Sequence, residues 1–326
     1  MATLLNKRTA LGLLATAALL GATSVHAQDY PSKNITFIVP FAPGGGASQG
    51  AQVIANGLEK ILGQTIVVDN RPGAATVTGT AAAVRAAPDG YTLLLASSAT
   101  AVNESMVAKK AYDALTDLTP IASTVDAPYV LLANKDSGIN SVRDLIEKAK
   151  AAPNTIAYGS AGIGSSQQLF MLYLMSKTGM QLRHIPYEGG NPAATAVASG
   201  EVAVTFADAG AVQEMVKGGL LKAIAVSPGK RLEIFPDVPT IQESGVQDYD
   251  LTTWQGIMGP AGMDPAIIGK LSDAVKQVLA DPELQQTLVK SGKSVNPSTP
   301  DEFKAYFAQD VARWKQLVAD AGITAK

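Results

Sequence analysis

Two stretches have residue types and spacing that could do chemistry. The first is "APGGGAS", residues 42–48, set between a β-type run and a helical segment. The second is "YGSAGIGSS", residues 158–166, again between a strand-like run and a helix. Backbone N–H groups at a glycine-rich helix start point outward and carry partial positive charge, so such a turn can hold a phosphate or a carboxylate. The dinucleotide fingerprint G-x-G-x-x-G, started at Gly44, needs glycine at position 49, where the chain has Gln49. The phosphate loop ending in G-K-[ST] is also missing, so nucleotide binding has no support. The second turn approaches the nucleophile motif G-x-S-x-G, but in "GSAG" Ser160 stands one place early. Ser160, Ser165 and Ser166 can donate hydrogen bonds to an anion, cap the following helix, or do both. The rival reading is a secreted hydrolase using a serine of 160–166. It needs a histidine, and beyond the first 27 residues His184 is the only one, with nothing in the sequence tying it to a serine.

No Asp, Glu and His grouping has metal-ligand spacing. With no cysteine, thiolate sites, cysteine nucleophiles, disulfides and a lipid anchor on a processed cysteine are excluded. No cofactor is expected. Lys7 and Arg8, the apolar run "LGLLATAALLGA" and the small-residue pattern Val25-x-Ala27 read as a secretory leader, residues 1–27, cleaved near Ala27. The apolar run falls short of the roughly 20 residues that a spanning helix needs. The leader holds two of the 26 basic residues, which leaves 24 against 28 acidic ones. Without a basic block, nucleic-acid binding is not expected. With 47% hydrophobic and 17% charged residues the chain is globular, and a soluble, monomeric, periplasmic protein is the expectation.

The elements that must position the two turns read as follows. "NITFIVPFA" (34–42), "QTIVVDN" (64–70) and "YTLLLASS" (91–98) are strands, separated by helical segments. In the first helix Val53, Ile54, Leu58, Ile61 and Leu62 recur at helical spacing. The middle of the chain repeats the alternation: "YVLLANK", the helix after Ser141, the strand entering 158–166, a second helix, "RHIPYEGG", a third helix, "VAVTFADA" and "LKAIAVS". Asp264-Pro265 and the capping box Thr299-Pro300-Asp301-Glu302 start two C-terminal helices. Alternating strands and helices, with apolar runs as strands, predict parallel sheets covered by helices. Two similar α/β units follow, with the chain crossing between them near 123–128 and 225–230. Both special turns sit at carboxyl ends of strands, where such sheets bind ligands, so a cleft between the units is the predicted site.

In order along the chain stand "YPSKNITFIVPFAPGGG", "VVDNRPGAA", "APDGYTLLLASS", "YGSAGIGSS", "HIPYEGG", "FPDVPTIQESG" and "GIMGPAGM". This series resembles the substrate-binding receptors of tripartite tricarboxylate transporters, the TctC or Bug family, over about 28 to 323. The resemblance implies a two-lobed, type II periplasmic-binding-protein-like clamshell of the α/β class, each lobe a mostly parallel sheet flanked by helices. Lobe one would comprise 28–125 and 228–326, and lobe two 126–227. It also implies no catalysis: the receptor closes on a small carboxylate or dicarboxylate and delivers it to membrane subunits. Carried over residue by residue, the first-lobe contacts are Phe41, Ala42, Pro43, Gly44, Gly45, Gly46, Ala47 and Ser48, with Ser97, Ser98 and Thr100 at the third strand's end. The second lobe would offer Ser160, Ala161, Gly162, Gly164, Ser165 and Ser166, with Tyr187, Ala207 and Asp208. The sequence departs from the family pattern around this cleft. Ala47-Ser48 replaces Thr-Asp, Gln168 replaces a histidine, Ala207-Asp208 replaces Asp-Asn, and Glu188 replaces a lysine. Asp208 beside an anion either points away from it or pairs with a donor on the ligand, such as a hydroxyl, an ammonium or a second, protonated carboxyl.

Overall fold

The computed structural model describes residues 30–320 other than Ala42, Gly45, Glu188 and Ser291. The expected leader lies outside the described residues. Among the described residues no helix is long and apolar enough to cross a membrane.

One sheet has six strands in the order β11-β4-β10-β3-β1-β2. They are β1 (Ile35–Val39), β2 (Ile66–Asn70), β3 (Thr92–Ser97), β4 (Leu118–Ala127), β10 (Thr253–Pro260) and β11 (Ser294–Val295). The other has five in the order β7-β6-β8-β5-β9: β5 (Tyr129–Ala133), β6 (Ala157–Ser160), β7 (Arg183–Pro186), β8 (Val204–Asp208) and β9 (Lys222–Val226). Helices cover both: α1 (Gly46–Leu62), α2 (Val77–Val84), α3 (Ser98–Met106), α4 (Ala114–Asp117), α5 (Val142–Ala151), α6 (Ser166–Thr178), α7 (Gly190–Ser199), α8 (Gln213–Lys217), α9 (Pro265–Leu279), α10 (Pro282–Lys290) and α11 (Pro300–Asp320).

The sheets are mixed rather than mostly parallel. β1 pairs in parallel with β2 and β3, and β6 with β7 and β8. β10 is antiparallel to β3 and β4, and β5 to β8 and β9. The reason lies in the crossings. A strand whose carboxyl end faces the cleft runs toward it, but a strand that enters a lobe from the cleft must run away from it. β5 enters the second sheet directly after β4, with only Pro128 between them, and β10 re-enters the first. Before that return, residues 227–252 stay with the second sheet. Val226 bridges Thr240, the Ile241 N–H donates to the Val226 carbonyl at 3.0 Å, and the Tyr249 hydroxyl donates to the Phe170 carbonyl at 2.8 Å.

Local signals explain the helices that position the site. In α1 the buried stripe is Ala51, Ile54, Ala55 and Leu58. Val53 and Ile61, expected on that stripe, are exposed, because at 3.6 residues per turn they lie off the face set by Ala51, Ile54, Ala55 and Leu58. α5 is capped by Ser141, whose hydroxyl accepts from the Asp144 N–H at 3.1 Å. At α11 the box is reciprocal: the Glu302 carboxylate accepts from the Thr299 N–H at 2.8 Å, and the Thr299 hydroxyl accepts from the Glu302 N–H at 3.3 Å. The stripe Phe303, Phe307, Val311, Trp314 and Val318 is buried. One core cluster spans the two sheets through this helix, joining Leu94 and Met258 to Phe170, Phe206 and Tyr249. The Trp314 and Phe170 rings stack at 6.1 Å, and Trp254 Nε1 donates to Asp310 at 2.8 Å. Separate clusters fill the far side of each sheet.

Candidate functional site

A cavity of about 570 Å³ lies between the sheets and is lined from both. Three helices begin on it. α1 presents Ala47, Gln49 and Gly50, α3 presents Ser98 and Ala99, and α6 presents Ser166. Helix starts carry unsatisfied N–H groups and the positive end of the macrodipole, so their convergence favours a negative group in the cavity. Phe41, Tyr129, Trp254 and Leu288 supply apolar wall.

The first-lobe wall keeps polar groups in reserve. Ser97 is the N-cap of α3. Its N–H donates to Thr100 Oγ1 at 3.2 Å, but its own hydroxyl is buried without a well-formed hydrogen bond. Gln255, opposite Ser97 in the β3–β10 register, holds a buried Oε1 with no partner. Buried polar groups normally pair, and an exception calls for an explanation such as a missing ligand. Lys293 completes this wall. A Cβ at Gly50 would lie 3.6 Å from Lys293 Nζ and 3.8 Å from Gln255 Oε1, so this glycine borders both groups. Ser98 is otherwise engaged, its hydroxyl accepting from the Trp254 N–H at 2.8 Å.

The second-lobe turn is satisfied internally. Gln168 Oε1 accepts from the Gly164 N–H at 2.7 Å, which orients its amide so that Nε2 faces His184 Nδ1 at 3.3 Å. Nδ1 therefore accepts, and the proton sits on Nε2, 2.6 Å from Ser160 Oγ. The Ser160 hydroxyl accepts there and from the Gly162 N–H, and donates to the Gly162 carbonyl at 3.1 Å. The structure thus ties His184 to a serine, but with the proton polarity reversed from that of a nucleophile and base. Ser160 is fully buried, and an amide stands where a triad has its acid. Burial also lowers the pKa of His184, which keeps it neutral. Ser165 caps α6, accepting from the Gln168 N–H at 3.3 Å and donating to the Gly162 carbonyl at 2.7 Å.

Of the residues expected in the site, Phe41, Ala47, Ser97, Ser98, Ser166 and Asp208 line the cavity. Pro43 and Gly44 are exposed beside it, while Ala42 and Gly45 lie outside the described residues. Gly46 opens α1. Ser48 is buried and its hydroxyl accepts from Asn70 Nδ2 at 3.0 Å, which fixes the turn to β2. Thr100 and Ala207 are buried behind the wall. Ser160, Ala161, Gly162, Gly164 and Ser165 form the internally bonded turn and do not line the cavity. Tyr187 points elsewhere, its hydroxyl donating to Glu201 at 2.9 Å. The sequence reading missed Tyr129, Thr253, Trp254, Gln255 and Lys293. The first four flank the crossings, and would have been visible had the direction of β10 been known. Lys293, in the charged stretch "KSGKSV", carries no such signal.

Asp208, at the end of β8, accepts from the Ala211 N–H at 2.9 Å. Burial raises its pKa, against the opposing pull of backbone N–H groups and the Lys293 charge. Burial lowers the pKa of Lys293, against the pull of Asp208. Close by, the two lobes touch: a Cβ on Gly292 would come within 2.6 Å of the Gly210 backbone. Among the described residues no group of acids and histidines is arranged for a metal ion.

A cleft between two mixed α/β lobes, entered by three helix starts, defines a solute-binding protein of the periplasmic type. The profile of the Tripartite tricarboxylate transporter family receptor, TctC, matches residues 51–323, and the chain belongs to that family of receptors, which are not enzymes. Protein BugT of Bordetella pertussis is 36% identical over 307 residues, 94% of each chain. A solved structure from R. palustris with adipate has a TM-score of 0.79 at 28% identity, covering 91% of this chain and 100% of that one. MatC from Rhodopseudomonas palustris with bound malate has a TM-score of 0.74 at 27% identity, covering 89% and 100%.

Proposed function

We propose that the protein captures a small organic carboxylate in the interlobe cavity by lobe closure and hands it to the membrane subunits of a tripartite transporter. The observation that carries this reading is the convergence of three helix starts on one cavity whose first-lobe wall also holds the Ser97 hydroxyl and a lysine. A carboxylate accepts from the N–H groups of those helix starts, from the Ser97 hydroxyl and from Lys293, and the ligands of the adipate and malate structures belong to this class. Export to the periplasm by the leader 1–27, and action as a monomer, belong to the same proposal. Lobe one would consist of 30–127 and 253–320, and lobe two of 128–252. This moves 228–252 from the first lobe to the second, because that stretch packs on β9 and α6. Pro128 and the segment before Thr253 are then the hinge.

Mass spectrometry of ligand retained through purification and released by denaturation, followed by calorimetry with the compound found, tests this. A bound carboxylate that returns unchanged is the expected result. Chemical conversion of the compound, or a retained ligand without any carboxylate, would sink the reading.

A further inference from the structure

Asp208 and Lys293 face one cavity from opposite lobes, and the function above uses only one of their charges. Lys293 stands just before β11, in the first sheet, and Asp208 ends β8, in the second. A ligand with an acid at both ends would press a carboxylate against Asp208 in a partly desolvated space, where like charges are costly. A ligand with a cation alone would meet Lys293 and three positive helix ends. The arrangement that satisfies both walls has its negative group on the first lobe and a positive donor on the second. We propose that the preferred cargo is a zwitterion, an amino acid in the broad sense, with its carboxylate held by Ser97 and Lys293 and its ammonium by Asp208.

This rests on the carboxylate reading above and adds a division of labour. The first lobe, with the Ser97 hydroxyl, Lys293 and the starts of α1 and α3, binds the carboxylate in the open state. The second lobe gains a charge-assisted hydrogen bond only when Asp208 reaches the ammonium, so the ammonium drives closure. The groups facing Asp208 agree with this. Its Oδ1 is occupied by the Ala211 N–H, the Tyr129 phenol stands beside it, and Lys293 is the cation opposite. The apolar body of the cargo would rest on Phe41, Tyr129 and Trp254.

A six-carbon probe set separates the possibilities: hexanoate, its 2-hydroxy, 6-hydroxy, 2-amino and 6-amino forms, and adipate. Calorimetry gives affinity, and small-angle scattering at saturation gives closure. At neutral pH one of the amino acids should bind at least tenfold tighter than hexanoate, its hydroxy analogue and adipate, and should reduce the radius of gyration, whereas hexanoate should leave it unchanged. Asp208→Asn should erase the amino preference, so that hexanoate and its hydroxy and amino forms bind within about threefold of one another. Lys293→Gln should weaken every acid in the set while preserving the ranking. Circular dichroism melts show whether either variant is merely unfolded, and ligand-free Asp208→Asn with an intact melt keeps the test valid. If the amino and hydroxy forms bind equally, or adipate binds tightest, or Asp208→Asn leaves the ranking unchanged, the zwitterion proposal fails and the carboxylate reading stands. If no member of the set binds at millimolar concentration, the zwitterion proposal fails, and the carboxylate reading fails with it only if the retained ligand also lacks a carboxylate.

Discussion

The two walls of the cleft looked alike in sequence and differ in the structure. Each lobe has a glycine-rich turn leading into a helix, and both turns were expected to grip the ligand. In the second lobe, the serine turn spends its hydroxyls on itself. Ser160 is locked between His184 and Gly162, and Ser165 caps α6. In the first lobe, Gln255 Oε1 is buried without a partner, and the Ser97 hydroxyl makes no well-formed hydrogen bond. A polar residue at a strand end can complete its own turn or wait for a ligand, and residue type alone does not distinguish the two. What distinguishes them is whether a partner lies within reach, and that is a property of the folded register.

The contrast can be broken most strongly where the walls touch. Gly292 has φ +74 and lies against the Gly210 backbone. Gly292→Val should cost roughly 1–3 kcal/mol of stability from the left-handed conformation. It should also block closure outright, seen as a radius of gyration that no longer falls on saturation with the retained ligand. Ser97→Ala comes next. A hydrogen bond to a charged group is worth roughly 1.5–3 kcal/mol, so affinity should drop about tenfold to a hundredfold. The melting temperature should fall only by the worth of the lost α3 cap, about 1 kcal/mol. An unchanged affinity with that same loss of stability would show that Ser97 serves the fold alone.

A third test concerns Asp126, near the end of β4. Its carboxylate accepts from Asn296 Nδ2 at 2.8 Å and faces Lys230 and Asp250, with Tyr306 and Arg313 on the same back cavity. Burial pushes its pKa from 3.8 up to about 6. The folded state therefore binds more protons than the unfolded chain between those values, and stability should fall as pH rises from about 4 to about 6. In urea titrations across that range, Asp126→Asn should remove roughly 1–2 kcal/mol of the fall. An identical slope in wild type and variant would mean that Asp126 is not the group responsible. The smallest effect belongs to the second wall. Ser165→Ala should lower stability by about 1 kcal/mol through the lost cap, while affinity for the retained ligand stays within a few-fold. A tenfold loss of affinity would restore the serine turn as a direct contact.

Much of the fold was legible because it rests on local rules. The strand runs, the Ser141 cap, the Thr299 box and the stripe from Phe303 to Val318 follow from periodicity and capping chemistry. The sense of β5 and β10 was not, since it depends on where the chain enters each lobe. That one fact hid Tyr129, Trp254 and Gln255, which sit at entry points. The contacts of residues 228–252 were hidden for a similar reason: short turns with few regular elements show no partner until the bridge from Val226 to Thr240 forms. The motif series located both turns of the site, but a motif cannot tell that Ser160 is spoken for by His184.

The chain has only two tryptophans, and both stand where the lobes meet. Trp254 borders the cavity, and Trp314 stacks on Phe170 from the opposite lobe. A solute entering the cleft changes the polarity around the first indole, and a swing of the lobes changes the ring stacking of the second. The molecule therefore carries its own optical gauge. Ultraviolet emission from the unlabelled protein reports occupancy through Trp254 and lobe angle through Trp314, and replacing one indole by phenylalanine isolates the other signal.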